Sequence, residues 1–548
     1  MICPVANALW FAGCAPEAAR FRRATSCVCR QQEGVLRRLL TRNATTDFGL
    51  RHEFATIASA REYQQRVPLH TYEDYRPFVD CVAAGRRNVL TREAVRLLEP
   101  TSGSTGATKL VPYTASLQRE FQRGIRPWIF DVFREHPALM GGQAYWSVSP
   151  TVNAAARTGG GIPIGFDDDT SYVGAWQRRL VGAVMAVPAA VRHIPDMDAF
   201  RYATLLALVR TANLRLISVW HPTFLTLLVG RLCEIGDALV RDVRLDARRA
   251  DILRAALRAR ASGERHAILW PELRLISCWT DASAADAAAN LAGLFPHARF
   301  QGKGLIATEA FVSLPLAGHE GSAVAIRSHF VEFVPVNAED ELSARAPCLA
   351  HELERGRRYA VVVSTGGGLY RYQLDDIVEV VGHVGECPTI RFIGRRGHVS
   401  DVVGEKLNEA YVASILREAS DRVGISHAFA MLACDTTLSP HAYVLYIETT
   451  APADAVDTLA RHIELRLRDS FHYDYARRLG QLGALRVFRA EGAGETYLRA
   501  SISRGHCAGA VKPLALDRGT GWSQTLRGDF VPVEMCFNAP HEWRNSRS

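Results

Sequence analysis

A chain of 548 residues, 48% hydrophobic and 22% charged, is longer than one compact core accommodates and suits two globular domains. No apolar run approaches the roughly eighteen residues that a membrane span needs, which argues against an integral membrane protein. The net charge of +8 is small for this length. Arginine-rich stretches such as 248–254 have helical spacing with Asp251 interleaved, so they read as a solvated helix face and not as a nucleic-acid surface.

In chain order, the first hundred residues read as helices joined by loops and end in the segment 67–75. Leu9-Trp10-Phe11-Ala12-Gly13-Cys14 looks faintly like a lipoprotein cleavage site. No positive charge precedes it, and Pro4 and Asn7 interrupt the apolar run, so the first helix of a cytoplasmic protein is expected. The twelve cysteines follow no repeating interval. Cys27 and Cys29 are too close together for a usual zinc-ligand pair, and reduced thiols are expected. From about 140 to 335, β-rich runs alternate with helical stretches, the pattern of an α/β sheet. Leu214-Arg215-Leu216-Ile217-Ser218-Val219-Trp220 and Leu273-Arg274-Leu275-Ile276-Ser277-Cys278-Trp279 are near-copies, as two equivalent slots in one sheet would be. Strands are expected at 359–364, 376–381 and 389–393, after which Gly394-Arg395-Arg396-Gly397-His398 interrupts the pattern. A domain boundary at 396 follows. It leaves 1–396 as a large N-terminal domain and 397–548 as a small α+β domain with helices near 408–423 and 453–469 and a strand near 442–448.

Of the 65 basic residues only four are lysines: Lys109, Lys303, Lys406 and Lys512. Where any positive charge serves, this chain uses arginine. A lysine therefore marks a place that needs a compact ammonium with rotatable donors. Thr101-Ser102-Gly103-Ser104-Thr105-Gly106-Ala107-Thr108-Lys109 is the strongest local motif. Its glycines let backbone approach an anion, its hydroxyls and amides donate to phosphate oxygens, and Lys109 adds charge. It is not a Walker A loop, because Lys109 falls three residues after Gly106 and precedes Leu110. A triphosphate is the expected ligand.

That loop resembles the signature of the adenylate-forming superfamily. Further segments resemble other motifs of that group. Gln301-Gly302-Lys303-Gly304-Leu305-Ile306-Ala307-Thr308-Glu309 is similar to the adenine and magnesium motif. Leu369-Tyr370-Arg371-Tyr372-Gln373-Leu374-Asp375-Asp376-Ile377 is similar to the ribose motif. The run 400–409 follows an interdomain hinge. Ser501-Ile502-Ser503-Arg504-Gly505, with Val511-Lys512-Pro513, resembles the segment carrying a mobile lysine. Together with Asn7-Ala8-Leu9-Trp10 and the segment 70–75, these resemble the GH3 family of acyl acid amido synthetases, in order and over nearly the whole chain.

The resemblance implies an α/β fold, with a large N-terminal domain of α/β subdomains and a small mobile α+β C-terminal domain. It implies ATP and Mg²⁺ as cofactors and a small carboxylic acid and an amine as substrates. Nucleic acid and membrane are not expected partners, and a monomer is favoured. By position, Thr101, Ser102, Gly103, Ser104, Thr105, Gly106 and Lys109 hold the β- and γ-phosphates, and Thr308 sits beside the α-phosphate. Glu309 binds Mg²⁺. Asp376 accepts from the ribose hydroxyls, Arg395 marks the hinge, and Lys512 stabilises charge during adenylation. The family usually has glycine where this chain has Asp375, so either Asp375 or Asp376 could meet the ribose; position favours Asp376. The runs at Tyr145-Trp146-Ser147-Val148-Ser149, Trp220 and Trp279 are suitably placed for an acyl pocket. They equally suit a core. His70, His221, His398 and His506 are expected to be structural. Lys303 and Lys406 receive no role. A CoA ligase and a carrier-loading enzyme share the first half-reaction and stay open as alternatives, as does a non-catalytic sensor.

Overall fold

A computed structural model describes residues 2–101, 109–147, 157–165, 182–194, 196–243, 246–336, 342–343, 346–396, 399–400, 402–403, 405, 407–503 and 511–532. The chain divides into two compact units, Met1–Arg396 with Ala500–Lys512 and Gly397–Arg499 with Pro513–Ser548. The sequence reading put all of 397–548 in the small domain. Ala500–Lys512, which includes Lys512, groups with the large unit instead.

In the large unit the helix Ile2–Ala24 is pinned by Asn7, whose side-chain amide donates to Met140 O (3.1 Å) and Gly142 O (3.0 Å). Trp10, one turn on, is buried against Phe133 and Trp146, with ring centroids 6.0 and 5.6 Å away. The long helix Ala115–Glu135 starts at Thr114, whose hydroxyl accepts from Leu117 N. Its apolar stripe, which includes Phe121, Trp128 and Val132, faces the same core.

Strands β1 (Leu97–Thr101) and β2 (Lys109–Tyr113) form an antiparallel hairpin. Strands β3 (Gln143–Trp146), β4 (Leu214–Ser218), β5 (Leu275–Ser277) and β6 (Arg299–Gln301) form a four-stranded parallel sheet in that order. Alternate residues serve opposite cores. Trp146, Leu216 and Leu275 pack into the core that holds Trp10 and Trp128, while Tyr145, Ile217 and Ile276 pack into a second core with Trp270 and Phe295. A parallel sheet needs both faces covered in this way. The two near-copy segments are the adjacent strands β4 and β5, with Ser218 and Ser277 in register. The solvated face expected at 248–254 needs one correction. Arg249 is buried, and its guanidinium donates to Val209 O (2.8 Å) and Leu269 O (3.2 Å). Its charge is spent on carbonyl groups where helices meet, a non-local demand that helical spacing cannot reveal.

A seven-stranded antiparallel sheet follows. Its strands are β7 (Ser313–Pro315), β8 (Ser322–Val324), β9 (Phe330–Pro335), β10 (Cys348–Leu349), β11 (Arg358–Ser364), β12 (Tyr372–Val384) and β13 (Cys387–Arg395). Their spatial order is β10-β9-β11-β12-β13-β8-β7. β13 runs through Gly394 and Arg395, where the sequence reading expected an interruption; pairing of Ile377 with Gly394 and Asp376 with Arg395 carries the strand on.

The small unit is built on β16 (Phe429–Asp435) and β17 (Ala442–Glu448), extended by three further strands. The helices Glu409–Val423 and Ala453–Leu467 cover the face that bears Leu432, Cys434, Tyr443, Leu445 and Ile447. Here β14 (Val399–Ser400) and β15 (Leu407–Asn408) form a short pair ahead of the first helix. Among the described residues no helix is long and apolar enough to cross a membrane.

Candidate active site

The hairpin β1–β2 fixes both ends of the phosphate-loop motif. Thr101 and Lys109 are partners across it, so the motif closes a hairpin. Ser102, Gly103, Ser104, Thr105 and Gly106 lie outside the described residues, as do Val148, Ser149, His398, Lys406 and His506. The Lys109 ammonium stands 5.7 Å from the centroid of the Tyr72 ring, and Leu110 N donates to the Tyr72 hydroxyl (2.7 Å). Tyr72 opens the helix Tyr72–Ala83, which begins with a capping box between Thr71 and Asp74. Just before it, His70 N donates to Arg371 O (2.9 Å) and Gln373 N donates to His70 O (2.9 Å). The base of the loop is thereby tied to the start of β12.

Thr308 and Glu309 form the tip of a tight turn. Ile306 bridges Phe311, and Ala307 N donates to Ala310 O (2.9 Å). Glu309 is buried, yet among the described residues its carboxylate makes no hydrogen bond. Its charge reaches Tyr372, Asp376 and Arg395. Burial, with Glu309 adding to it, pushes the Tyr372 phenol well above its usual range.

The two neighbouring aspartates of β12 differ sharply. Asp376 is buried and pairs across the sheet with Arg395, whose Nε lies 3.9 Å from Oδ1. Burial pushes the Asp376 carboxyl up to about 6, against the pull of Arg395 and Lys512. Burial also works against the Arg395 charge, but Asp376, Glu309 and Asp375 outweigh it and hold the guanidinium above its usual value. Asp375 is half-buried, has φ 63°, and its Oδ1 accepts from Arg396 (2.7 Å). The left-handed backbone at 375 gives a physical reason for glycine there; aspartate is among the few side chains that tolerate it.

Lys512 completes the set. Its ammonium sits 3.8 Å from the ring centroid of Trp279 and 5.8 Å from that of Phe392 on β13, close enough to Asp376 to favour that carboxylate's charged form. His221 is fully buried, caps the helix Pro222–Gly230 and is edge-on to Trp279. Burial, with Lys512 adding to it, lowers it to about 3, so it is neutral and structural. His70 Nδ1 lies 3.1 Å from Tyr370 O, a structural bond as well.

Arg395, Lys512 and Glu309 thus all act on the Asp376 carboxylate, and Lys109 stands against Tyr72. Of the rings beside these groups, the sequence names Trp279 for an acyl pocket and does not single out Tyr72, Tyr372 or Phe392. The one available signal was Trp279, at the end of a near-copied strand.

The fold is that of a solved acyl acid amido synthetase. The solved structure of AtGH3.15 acyl acid amido synthetase in complex with 2,4-DB matches with a TM-score of 0.82 at 18% sequence identity, over 95% of this chain and 98% of that one. The chain belongs to the GH3 family. The family's N-terminal domain matches residues 17–300, its central domain 322–395 and its C-terminal domain 412–516. Among curated relatives, a probable indole-3-acetic acid-amido synthetase GH3.12 of Oryza sativa subsp. japonica is 25% identical, over 90% of this chain and 92% of its own length. The indole-3-acetic acid-amido synthetase GH3.2 of Arabidopsis thaliana is 24% identical, over 71% of this chain and 78% of its own.

Proposed function

We propose that this protein is an ATP-dependent acyl acid amido synthetase that activates a small carboxylic acid as its AMP ester and transfers the acyl group to an amine, most simply an amino acid. The observation that carries the reading is the convergence of Lys512 with Asp376, Arg395 and Glu309 beside the hairpin that closes on Lys109. A cytoplasmic location, where ATP and free amino acids are supplied together, belongs to the same proposal.

The chemistry needs such a set. A carboxylate is a poor electrophile because its charge is delocalised and oxide does not leave. Attack of a carboxylate oxygen on the α-phosphorus of ATP forms one P–O bond and breaks another, releasing pyrophosphate and leaving AMP as the leaving group. Negative charge accumulates on the phosphoryl oxygens in that step, and fixed cations stabilise it. In the proposal Lys512 supplies that charge from the Trp279 face. Thr101 to Gly106, with Lys109, hold the β- and γ-phosphates, and Thr308 lies by the α-phosphate. Asp376 accepts from the ribose hydroxyls, and Arg395 keeps its carboxylate charged and oriented. The Glu309 carboxylate, buried and without a hydrogen-bond donor among the described residues, suits a hard divalent cation. When bound there, Mg²⁺ supplies charge neutralisation on the phosphates. The amine then attacks the acyl carbon, the C–O bond to AMP breaks, and the ammonium proton is lost to solvent. No protein nucleophile is required.

Lys512 is followed directly by Pro513 of the small unit. We propose that the small domain moves between the two half-reactions and carries Lys512 away after adenylation. A monomer is the proposed working state.

Incubation with ATP, Mg²⁺, a panel of aryl and alkyl acids and a panel of amino acids, with amide detected by mass spectrometry, tests the function. An amide that forms only when ATP, acid and amino acid are all present is the expected result. A thioester formed with CoA, and no amide with any amine, would replace amide synthesis by CoA ligation.

A further inference from the structure

Lys303 lies outside the group described above. It follows β6 and is 5% exposed. Its ammonium donates to the Ser218 hydroxyl (2.6 Å) and stands 5.3 Å from the Trp128 ring and 5.0 Å from the Trp220 ring. No carboxylate among the described residues acts on it; its one charge neighbour is Cys278, whose thiol burial pushes up to about 11 and keeps neutral. Burial alone lowers the Lys303 ammonium to about 7. Buried charges are normally paired, and an unpaired one is costly.

The strand ends around Lys303 carry polar side chains, none of them acidic. Trp146, Ser218, Ser277 and Gln301 are in register at the ends of β3, β4, β5 and β6. In-register residues of a parallel sheet project from the same face, and the carboxyl ends of parallel strands are where α/β sheets bind ligands. Trp128 lies on that face, because its indole donates to the Gln301 side chain (3.1 Å). Two buried polar atoms in the same row have no partner among the described residues: the Ser277 hydroxyl, on a residue 2% exposed, and the Trp146 indole nitrogen. An ammonium with spare hydrogens, a free hydroxyl and a free indole N–H therefore share one face, with aromatic rings against the ammonium.

We infer that this face of β3–β6 binds the carboxylate of one of the two organic substrates, held by Lys303 and Ser277. The inference takes its ligand class from the proposed function. A single positive charge matches a carboxylate better than a polyphosphate, and the Trp128 and Trp220 rings suit the apolar body that a carboxylic acid carries. The carboxylate has two sources, the acid to be activated or the amino acid that accepts the acyl group.

Thermal melting of the full-length protein separates them. The probes are benzoate and hexanoate for the acid, L-alanine and L-aspartate for the amino acid, each paired with its neutral amide. One of the two pairs is expected to raise Tm by about 2 °C or more at saturating concentration, and its amides are not. The shift is expected to vanish in Lys303→Met and to shrink in Ser277→Ala, a variant that removes only an unpartnered hydroxyl. No carboxylate outperforming its amide on the wild type, or an undiminished shift in a folded Lys303→Met, would overturn the inference. The amide assay by mass spectrometry, run alongside, keeps the two claims apart. A carboxylate-specific shift without amide synthesis removes the function and leaves the site; amide synthesis without the shift does the reverse.

Discussion

Trp220 and Trp279 lie side by side, two residues beyond the in-register serines of β4 and β5, with ring centroids 5.5 Å apart and Trp279 N donating to Trp220 O (2.9 Å). Each ring carries an ammonium: Lys303 on Trp220 and Lys512 on Trp279. Two of the four lysines in the chain thus meet one tryptophan pair. A cation–π contact contributes about 0.5–2 kcal/mol. Trp279→Leu is therefore expected to slow carboxylate-dependent pyrophosphate exchange roughly 2- to 30-fold, with the KM for ATP nearly unchanged. Steady-state exchange kinetics at varied ATP give the split.

Asp375 occupies a backbone conformation with φ 63° inside β12. Asp375→Gly relieves that conformation while losing the Arg396 contact, so its stability is expected to stay within about 1 kcal/mol of wild type. Asp375→Val places a β-branched side chain there and is expected to cost about 1–3 kcal/mol. Urea unfolding of both variants, followed by circular dichroism, provides the comparison.

Arg371, within the segment that resembles a ribose motif, points away from that role. Its guanidinium lies 3.1 Å from Glu332, both side chains are almost fully buried, and it also donates to Gln64 O (2.8 Å). Removing one member of such a pair leaves a buried charge, at a cost of about 3–5 kcal/mol. Arg371→Met is expected to lose that much in urea unfolding, and Arg371→Met with Glu332→Leu to regain most of it.

Burial lowers Lys303 to about 7 in the folded chain from the ordinary lysine value of 10.5. Between those values the unfolded chain binds the extra proton, so this group makes stability rise with pH over that window. Below about 7 the folded protein bears the whole burden of a buried charge. Lys303→Met is expected to melt above wild type at pH 6, and the gap is expected to narrow between pH 7 and pH 10. Melting curves across that range, without added carboxylate, provide the check.

Much of the fold is legible locally. The parallel strands follow chain order, and alternation of short β runs with helical stretches marks them. Ser218 and Ser277 are neighbours because two near-identical strands occupy adjacent slots. The antiparallel sheet is harder to read, because two of its neighbouring pairs, β9 with β11 and β13 with β8, are not consecutive strands. Gly394 ends no strand because it pairs with Ile377 on the preceding strand of the same hairpin, a partner that local composition does not show. The rare lysines Lys109, Lys303 and Lys512 each stand against an aromatic ring, a partner that the sequence does not reveal. Trp279, Phe392 and Tyr372 reach their places through tertiary packing, and an apolar ring beside a charge has no sequence period. Arg249 shows the converse, a helix-face arginine whose carbonyl acceptors lie 40 and 20 residues away.

Carboxylate-dependent exchange of labelled pyrophosphate into ATP, in wild type and Lys512→Ala, tests the central claim most directly. The account predicts exchange that needs Mg²⁺ and an acid, and that falls at least about tenfold in Lys512→Ala, a loss of roughly 1.4 kcal/mol of transition-state stabilisation. Exchange of equal rate in the folded variant, or ATP hydrolysis indifferent to any acid, would contradict it.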